Sequence, residues 1–283
     1  MSDAAQAELP KHEVFTSPFK VEPVYEEWDT PQNYRRYPGG KDLPPKVRVW
    51  RIQDTGERLG SIASNGPGMT DSPDAELLTE GYNLGKGPHE AGVSRHGNFL
   101  QWGFNGSPSQ MTPAGKSFFL NCIVYIRKFD EKQPLIRVRA NDRSAILYAA
   151  QIRIVDPEYM PRSFGPGLRA KDKQGQPETL AVYLEKNMEF IYKSPQGYEI
   201  DEELKSLGIA SNRKLESLKK LIALRDDPAK KELAGKILKR YLDAAVTPET
   251  AKQWLTDNRD RIFFTDLGGY KFMAAPKGYL LPQ

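Results

Sequence analysis

The stretch Glu90–Phe129, EAGVSRHGNFLQWGFNGSPSQMTPAGKSFFLNCIVYIRKF, changes its period half-way along. Glu90–Ser94 and Phe99–Phe104 flank Arg95-His96-Gly97-Asn98, where Gly and Asn tolerate the positive φ of a tight turn, so the first half predicts a hairpin. Leu100, Trp102 and Phe104 alternate and would share one face. Thr112 followed by Pro113 is a helix start, and Phe118, Phe119, Cys122, Ile123, Ile126 and Phe129 then recur at the helical period. A hairpin followed by such a helix predicts an α+β fold in which the helix covers a sheet face.

Upstream, Val47–Gln53 (VRVWRIQ) alternates apolar and polar residues like a half-buried strand, with Leu59–Ser64 as its hairpin partner beyond a turn at Asp54–Gly56. Asn65–Gly68 (NGPG) is loop chemistry. Asp71-Ser72-Pro73-Asp74 predicts the cap and first turn of a short helix through Gly81. Downstream, Asp142 caps a helix to about Ile152, and a Pro- and Gly-rich loop, Asp156–Pro177, is the clearest break. Glu178–Lys193 places Leu180, Tyr183, Leu184, Met188 and Ile191 on one helical stripe, and Asp201–Leu207 ends at Gly208. Ser211 or Asn212 caps a helix bearing Leu215, Leu218, Leu221, Ile222 and Leu224. Asp227-Pro228 and Thr247-Pro248 open two more, and Ile262–Phe264 with Tyr270–Met273 predicts a closing hairpin. The helices at 212–225 and 228–242 have solenoid-like lengths but share no motif.

Composition divides the 283 residues in the same way. Residues 1–130 hold 12 Pro and 14 Gly with 14 Lys and Arg against 16 Asp and Glu; the remainder holds 10 and 9, with 27 basic residues against 21 acidic. The expectation is a strand-rich region, 1–141, followed by a helical one, 142–283. The densest apolar run, Ser117–Ile126, is interrupted by Asn121 and is far short of the roughly 20 residues a membrane span needs, so no membrane partner is expected. Met1–Lys11 carry Asp3 and Glu8 without an apolar core, which predicts a cytoplasmic chain; a secreted or periplasmic chain relieved of its leader would read alike.

Few side chains suggest chemistry. The single cysteine, Cys122, excludes an internal disulfide and falls on the core stripe of a helix, where burial suppresses the thiolate. There is no G-x-S-x-G elbow, and Ser107 and Ser109 lack an identifiable base. His89 and His96 lie seven apart, on opposite faces of any continuous strand, and His12 is remote; Asp71, Asp74 and Glu76 suit a helix start, so neither a metal nor a cofactor is expected. No phosphate loop is present. Glu26, Glu27 and Asp29 around Trp28 resemble the furniture of a sugar site, which leaves one alternative: a carbohydrate-active enzyme with paired carboxylates from 22–29 or 71–80. A second is nucleic-acid association through 212–241, where ten Lys and Arg face four Asp and Glu, with Tyr34-Arg35-Arg36-Tyr37 interleaving aromatic and basic groups; an overall charge of +4 does not make nucleic acid the expected partner.

Ser94–Phe104, followed by Ser107-Pro108, Met111-Thr112-Pro113 and Asn121–Ile126, resembles the last strand pair and final helix of trehalose-utilisation (ThuA-like) domains, of the class I glutamine amidotransferase-like fold. Asp71–Asn83 and His12–Phe15 are similar to earlier segments of such domains, so the resemblance covers at most 12–130. It implies part of a Rossmann-like α/β sheet and a sugar-like or other small polar ligand. It does not bring amidotransferase activity: no cysteine stands on an elbow, and no Glu follows His96 by two residues. Fewer than 50 residues precede Val47, too few for the βαβ units such a sheet requires, so an edge or face would need cover from the helices beyond 142, a protein partner or a second copy. The expected function is therefore non-catalytic binding or interaction, with Arg95, His96, Asn98, Trp102, Asn105 and Gln110 on the rim of the site.

Overall fold

A computed structural model describes residues 3–6, 11–37, 40, 42–56, 71–137, 140–172, 176 and 178–279. The fold is α+β, and the chain divides into two compact units, residues 1–135 and 136–283.

In the first unit, β1 (Ala4–Gln6), β2 (Tyr25–Asp29) and β3 (Lys46–Arg51) pair in the order β1-β3-β2, and β4 (Ala75–Glu80), β5 (Ala91–His96) and β6 (Phe99–Trp102) in the order β4-β5-β6. All these pairs are antiparallel, so the described strands do not form the Rossmann-like arrangement that the resemblance implies. The alternation in 47–53 does make a strand, but its neighbours are β1 and β2; the expected partner, Leu59–Ser64, and the loop Asn65–Gly68 lie outside the described residues. Val47 and Val49 pack with Ala4 and Tyr82, whereas Trp50 and Ile52 join Ala5, Leu78 and Val93 beneath Phe118.

The helix expected from Asp71 to Gly81 is instead β4. Ser72–Ala75 close a turn, the buried Asp74 carboxylate accepts from Ser72 and from the Leu135 amide, and the next six residues pair with β5 through a bulged register. Tertiary pairing outweighs the local cap signal. The hairpin β5–β6 turns at Gly97, whose φ of 57° and close approach to the Lys132 and Pro134 backbone suit glycine alone.

Helix α1 (Pro113–Ile126) starts as expected, with the Thr112 hydroxyl accepting the Gly115 amide at 3.0 Å. Its buried face is Ala114, Gly115, Phe118, Asn121, Cys122 and Tyr125; Ile123, expected on that stripe, is exposed. Asn121 binds the Val14 and Phe19 backbone, so the helix also carries the segment before β2.

The second unit holds α2 (Arg143–Val155), α3 (Pro166–Lys171), α4 (Glu178–Lys186), the hairpin β7 (Ile191–Ser194) and β8 (Gly197–Ile200), then α5 (Glu202–Ser206), α6 (Leu215–Leu224), α7 (Lys231–Tyr241), α8 (Ala251–Asn258) and the closing hairpin β9 (Ile262–Thr265) and β10 (Lys271–Ala274). Asp142 caps α2 as expected, and Asp201 caps α5. The loop Asp156–Pro177 lies within this unit and contains α3. Glu178–Lys193 is not one helix: Asn187 turns back on Tyr183 and Leu184, and Ile191 begins a strand. Ser211 and Asn212 do not cap α6, because their side chains bind Glu189 and the Ile191 carbonyl. One core gathers Ile146, Leu168, Leu180 and Leu184, and another gathers Leu218, Leu221, Ile237, Leu238 and Phe272.

A Cβ built on Gly115 would lie 1.9 Å from the Ile52 carbonyl oxygen. Gly115→Ala should therefore lower stability in urea unfolding by on the order of 1–3 kcal/mol, although alanine is the better helix former.

Candidate functional site

Antiparallel register sets Glu76 of β4 opposite Arg95 of β5, and the two form the centre of the first unit's polar constellation. Arg95 is buried; its Nε and Nη2 reach the two Glu76 oxygens at 3.2 and 2.8 Å, Nη1 donates to the Gly97 carbonyl at 2.8 Å, and the guanidinium lies 3.7 Å over the Phe129 ring. Glu76 also accepts from the Tyr125 hydroxyl and lies 3.7 Å from His12 Nε2. The His12 Nδ1 accepts the Val14 amide at 3.2 Å, so its ring proton is on Nε2, toward the carboxylate. Burial by itself would raise the Glu76 pKa, but the donors His12, Arg95 and Tyr125 and the Arg95 charge outweigh it and hold the carboxyl far below the usual carboxylate range.

Asp74, just ahead of β4, is a second such hub. His96 Nε2 is 3.3 Å from its Oδ1, the Ser72 hydroxyl donates to the same oxygen, and the Leu135 amide donates to Oδ2 at 2.9 Å. Burial again opposes ionisation, and the donors again win, lowering its pKa. Ser, His and Asp thus meet, but not as a nucleophilic triad: serine and histidine both turn to the one carboxylate, among the described residues no imidazole faces the hydroxyl, and Ser72 is buried.

The six side chains expected on the rim fall in separate places. Arg95, His96 and Asn98 cluster at the end of the β5–β6 hairpin, beside Phe99, which is 67% exposed. Trp102 packs inward on Phe104, Phe118 and Phe119, at 4.9 Å from the last, and its buried indole N–H has no partner among the described residues. Asn105 accepts from Gln53 at 3.2 Å in the following loop, and Gln110 closes a capping box with Ser107. Glu76, Asp74, His12 and Tyr125 were missed as a group. The available signal was charge: Glu76 against Arg95, and Asp74 beside His96, face each other only if 75–80 is read as a strand antiparallel to 91–96.

Other candidate groups are also engaged. Glu26 takes Arg51 Nε at 2.6 Å and Trp28 Nε1 at 2.7 Å, and those bonds lower its pKa. Glu22 pairs with Lys20 on the surface, and His89 Nδ1 lies 3.0 Å from Glu80, away from the hubs. Among the described residues no group of three His, Cys, Asp or Glu side chains is placed to hold a metal ion. Within 212–241, Arg213, Arg225, Lys230, Lys236 and Arg240 are drawn into ion pairs with Glu189, Glu249, Asp227 and Glu203, Arg240 also with the buried Asp201.

No protein-family model, curated protein or solved structure matches this chain.

Two measurements check the electrostatics. The folded-state pKa of Glu76 lies below its unfolded value of about 4.3, so its contribution is complete above that value and disappears as pH falls toward the folded pKa. Glu76→Gln should thus lower the melting temperature at pH 7, with the gap to the parent narrowing steadily between pH 5 and pH 2. Burial pushes the Cys122 thiol up to about 12, so a thiol reagent at pH 8 should leave the native chain unmodified and titrate one equivalent in urea.

Proposed function

We propose that the first unit acts by binding and not by bond-making. The observation that supports this is the saturation of its reactive groups: Glu76, Asp74 and Glu26 are each held as anions by at least two donors, and Cys122 is kept as a thiol. A glycoside hydrolase needs a carboxylic acid whose pKa is raised so that it can give up a proton near neutrality, and these three carboxyls are shifted the opposite way.

The ligand class that suits the unit is a small polar, sugar-like molecule at the hairpin end. Phe99 offers an exposed ring, and His96 and Asn98 are partly open beside it. The ThuA-like resemblance of Ser94–Ile126 supports the same class from sequence alone. Pairing with nucleic acid through 212–241 is less favoured, since half of the ten cations there are already matched by acids.

A panel of chromogenic glycosides should be hydrolysed no faster than in buffer. Saturation-transfer NMR with neutral disaccharides should show contact that Phe99→Ala reduces severalfold. A hydrolytic rate that disappears in Glu76→Gln would overturn the proposal, as would disaccharide contact indifferent to Phe99→Ala.

A further inference from the structure

The second unit contains a cavity of about 830 Å³, within the range of small-molecule sites. It is an open cleft, lined by Arg225 just after α6, the exposed side of α7, the segment 242–249 and Lys271 of β10. Five cations line it, Arg225, Lys231, Lys236, Lys239 and Lys271, against the three acids Glu232, Asp243 and Glu249, which leaves two positive charges in excess.

The pairing of these groups shows which are free for a ligand. Lys236 is engaged by Glu203, and Lys271 donates to the Arg240 carbonyl at 2.5 Å. Arg225 Nη2 holds Glu249 at 3.0 Å, but that glutamate is 71% exposed, a weak and displaceable pair. Among the described residues the buried Arg225 Nε has no hydrogen-bond partner, a costly state for a charged donor. Lys231 and Lys239, both exposed on α7, make no ion pair among the described residues. They stand eight apart, with Gly235 midway on the same helical face. A Cβ at Gly235 would sit 3.9 Å from Arg225 Nε, so a longer side chain there would occupy the space in front of the guanidinium. Glycine inside a helix is destabilising, and here its effect is to keep that space open.

We propose that this cavity binds a small phosphorylated molecule. A phosphate anion suits this lining: the Lys231 and Lys239 ammonium groups, and the Arg225 guanidinium once its weak pair with Glu249 is displaced, supply donors for its oxygens, and Pro228, Leu242 and Val246 provide an apolar wall for the attached group. The acids Glu232, Asp243 and Glu249 among the lining residues disfavour a long polyanion, which separates this site from a nucleic-acid surface.

Titration calorimetry of the full chain with phenyl phosphate, inorganic phosphate, benzoate and a 20-base-pair DNA duplex, all at one ionic strength, tests it. Phenyl phosphate should bind, more tightly than benzoate. Lys239→Gln should weaken it about tenfold, and Gly235→Leu should abolish it with no loss of melting temperature. Lys219→Gln, on α6 outside the cavity, should change nothing. Tighter binding of phenyl phosphate than of inorganic phosphate attributes part of the affinity to the apolar wall, and equal binding reduces the site to a phosphate subsite only. Absence of heat with both phosphates, binding indifferent to Lys239→Gln, or duplex binding tighter than phenyl phosphate and weakened by Lys219→Gln would each overturn the proposal. None of these outcomes depends on the hairpin end of the first unit, so the two proposals stand or fall separately.

Discussion

A guanidinium keeps its charge at every pH the fold survives, so Arg95 can be buried only if the surrounding chain supplies a counter-charge and acceptors for its N–H groups. That demand organises the first unit. Glu76 supplies the charge, which fixes β4 against β5 in one register. Gly97 supplies a carbonyl, which fixes the turn. Phe129 covers the guanidinium face, which anchors the end of the helical segment that begins at Pro113. Tyr125 and His12 then complete the Glu76 shell from α1 and from the N-terminal segment. Four separate pieces of chain, β4, the β5–β6 hairpin, the helical segment from Pro113 and the N-terminal segment, meet because one charge is out of water, and removing either member of the central pair leaves the other uncompensated.

The second unit follows the same logic. Arg143, just inside α2, is buried against Asp266 in the turn between β9 and β10, and it also donates to the Met188 carbonyl at 2.7 Å. Asp201 caps α5 at the Leu204 amide, accepts the Tyr241 hydroxyl at the end of α7 and pairs with Arg240. Such contacts add little net stability compared with an apolar core of equal volume. They do penalise any packing that strands a charge, and so bind the order of helices and hairpins to one arrangement. Lys and Arg residues that appear as a simple basic run in the sequence are sorted by this requirement into structural partners and unpaired surface groups.

Features set by near neighbours in the chain were legible before the fold was known. Thr112-Pro113 opens α1, Asp142 caps α2, Gly208 ends α5 with a φ of 66°, and Gly97 turns the hairpin. The caps depend on a side chain reaching a backbone amide three residues on, and the glycines on a positive φ within the turn itself. The misreadings share a different origin. Asp71-Ser72-Pro73-Asp74 carries all the marks of a helix start, yet its carboxylate is claimed by Leu135 and His96, far away in sequence. Ser211 and Asn212 have capping side chains, yet Glu189 and Ile191 take them. A polar side chain that can serve a local amide or a distant partner looks the same in both cases, and only tertiary packing decides. The candidate site was partly legible for the same reason: Arg95 and His96 were visible as turn-flanking polar residues, whereas Glu76 and Asp74 acquire their meaning only across the strand pair.

A residue that holds a fold together in this way is poorly suited to catalysis at the same time. General acid–base catalysis requires a group whose pKa lies near the working pH, so that it can both take and release a proton at low cost. Every donor added to stabilise Glu76 moves it further from that condition, and protonating it would break the bonds from Arg95 and Tyr125 together, removing the counter-charge on which Arg95 burial depends. The same holds at Asp74, where a proton would disturb the partners Ser72, His96 and Leu135 at once. Groups available for a ligand must therefore be sought where the internal bonding is incomplete and open to solvent. By that criterion the places to look are the exposed end of the β5–β6 hairpin and the side of α7 where Lys231 and Lys239 make no ion pair among the described residues, not the buried hubs that first resemble an active site.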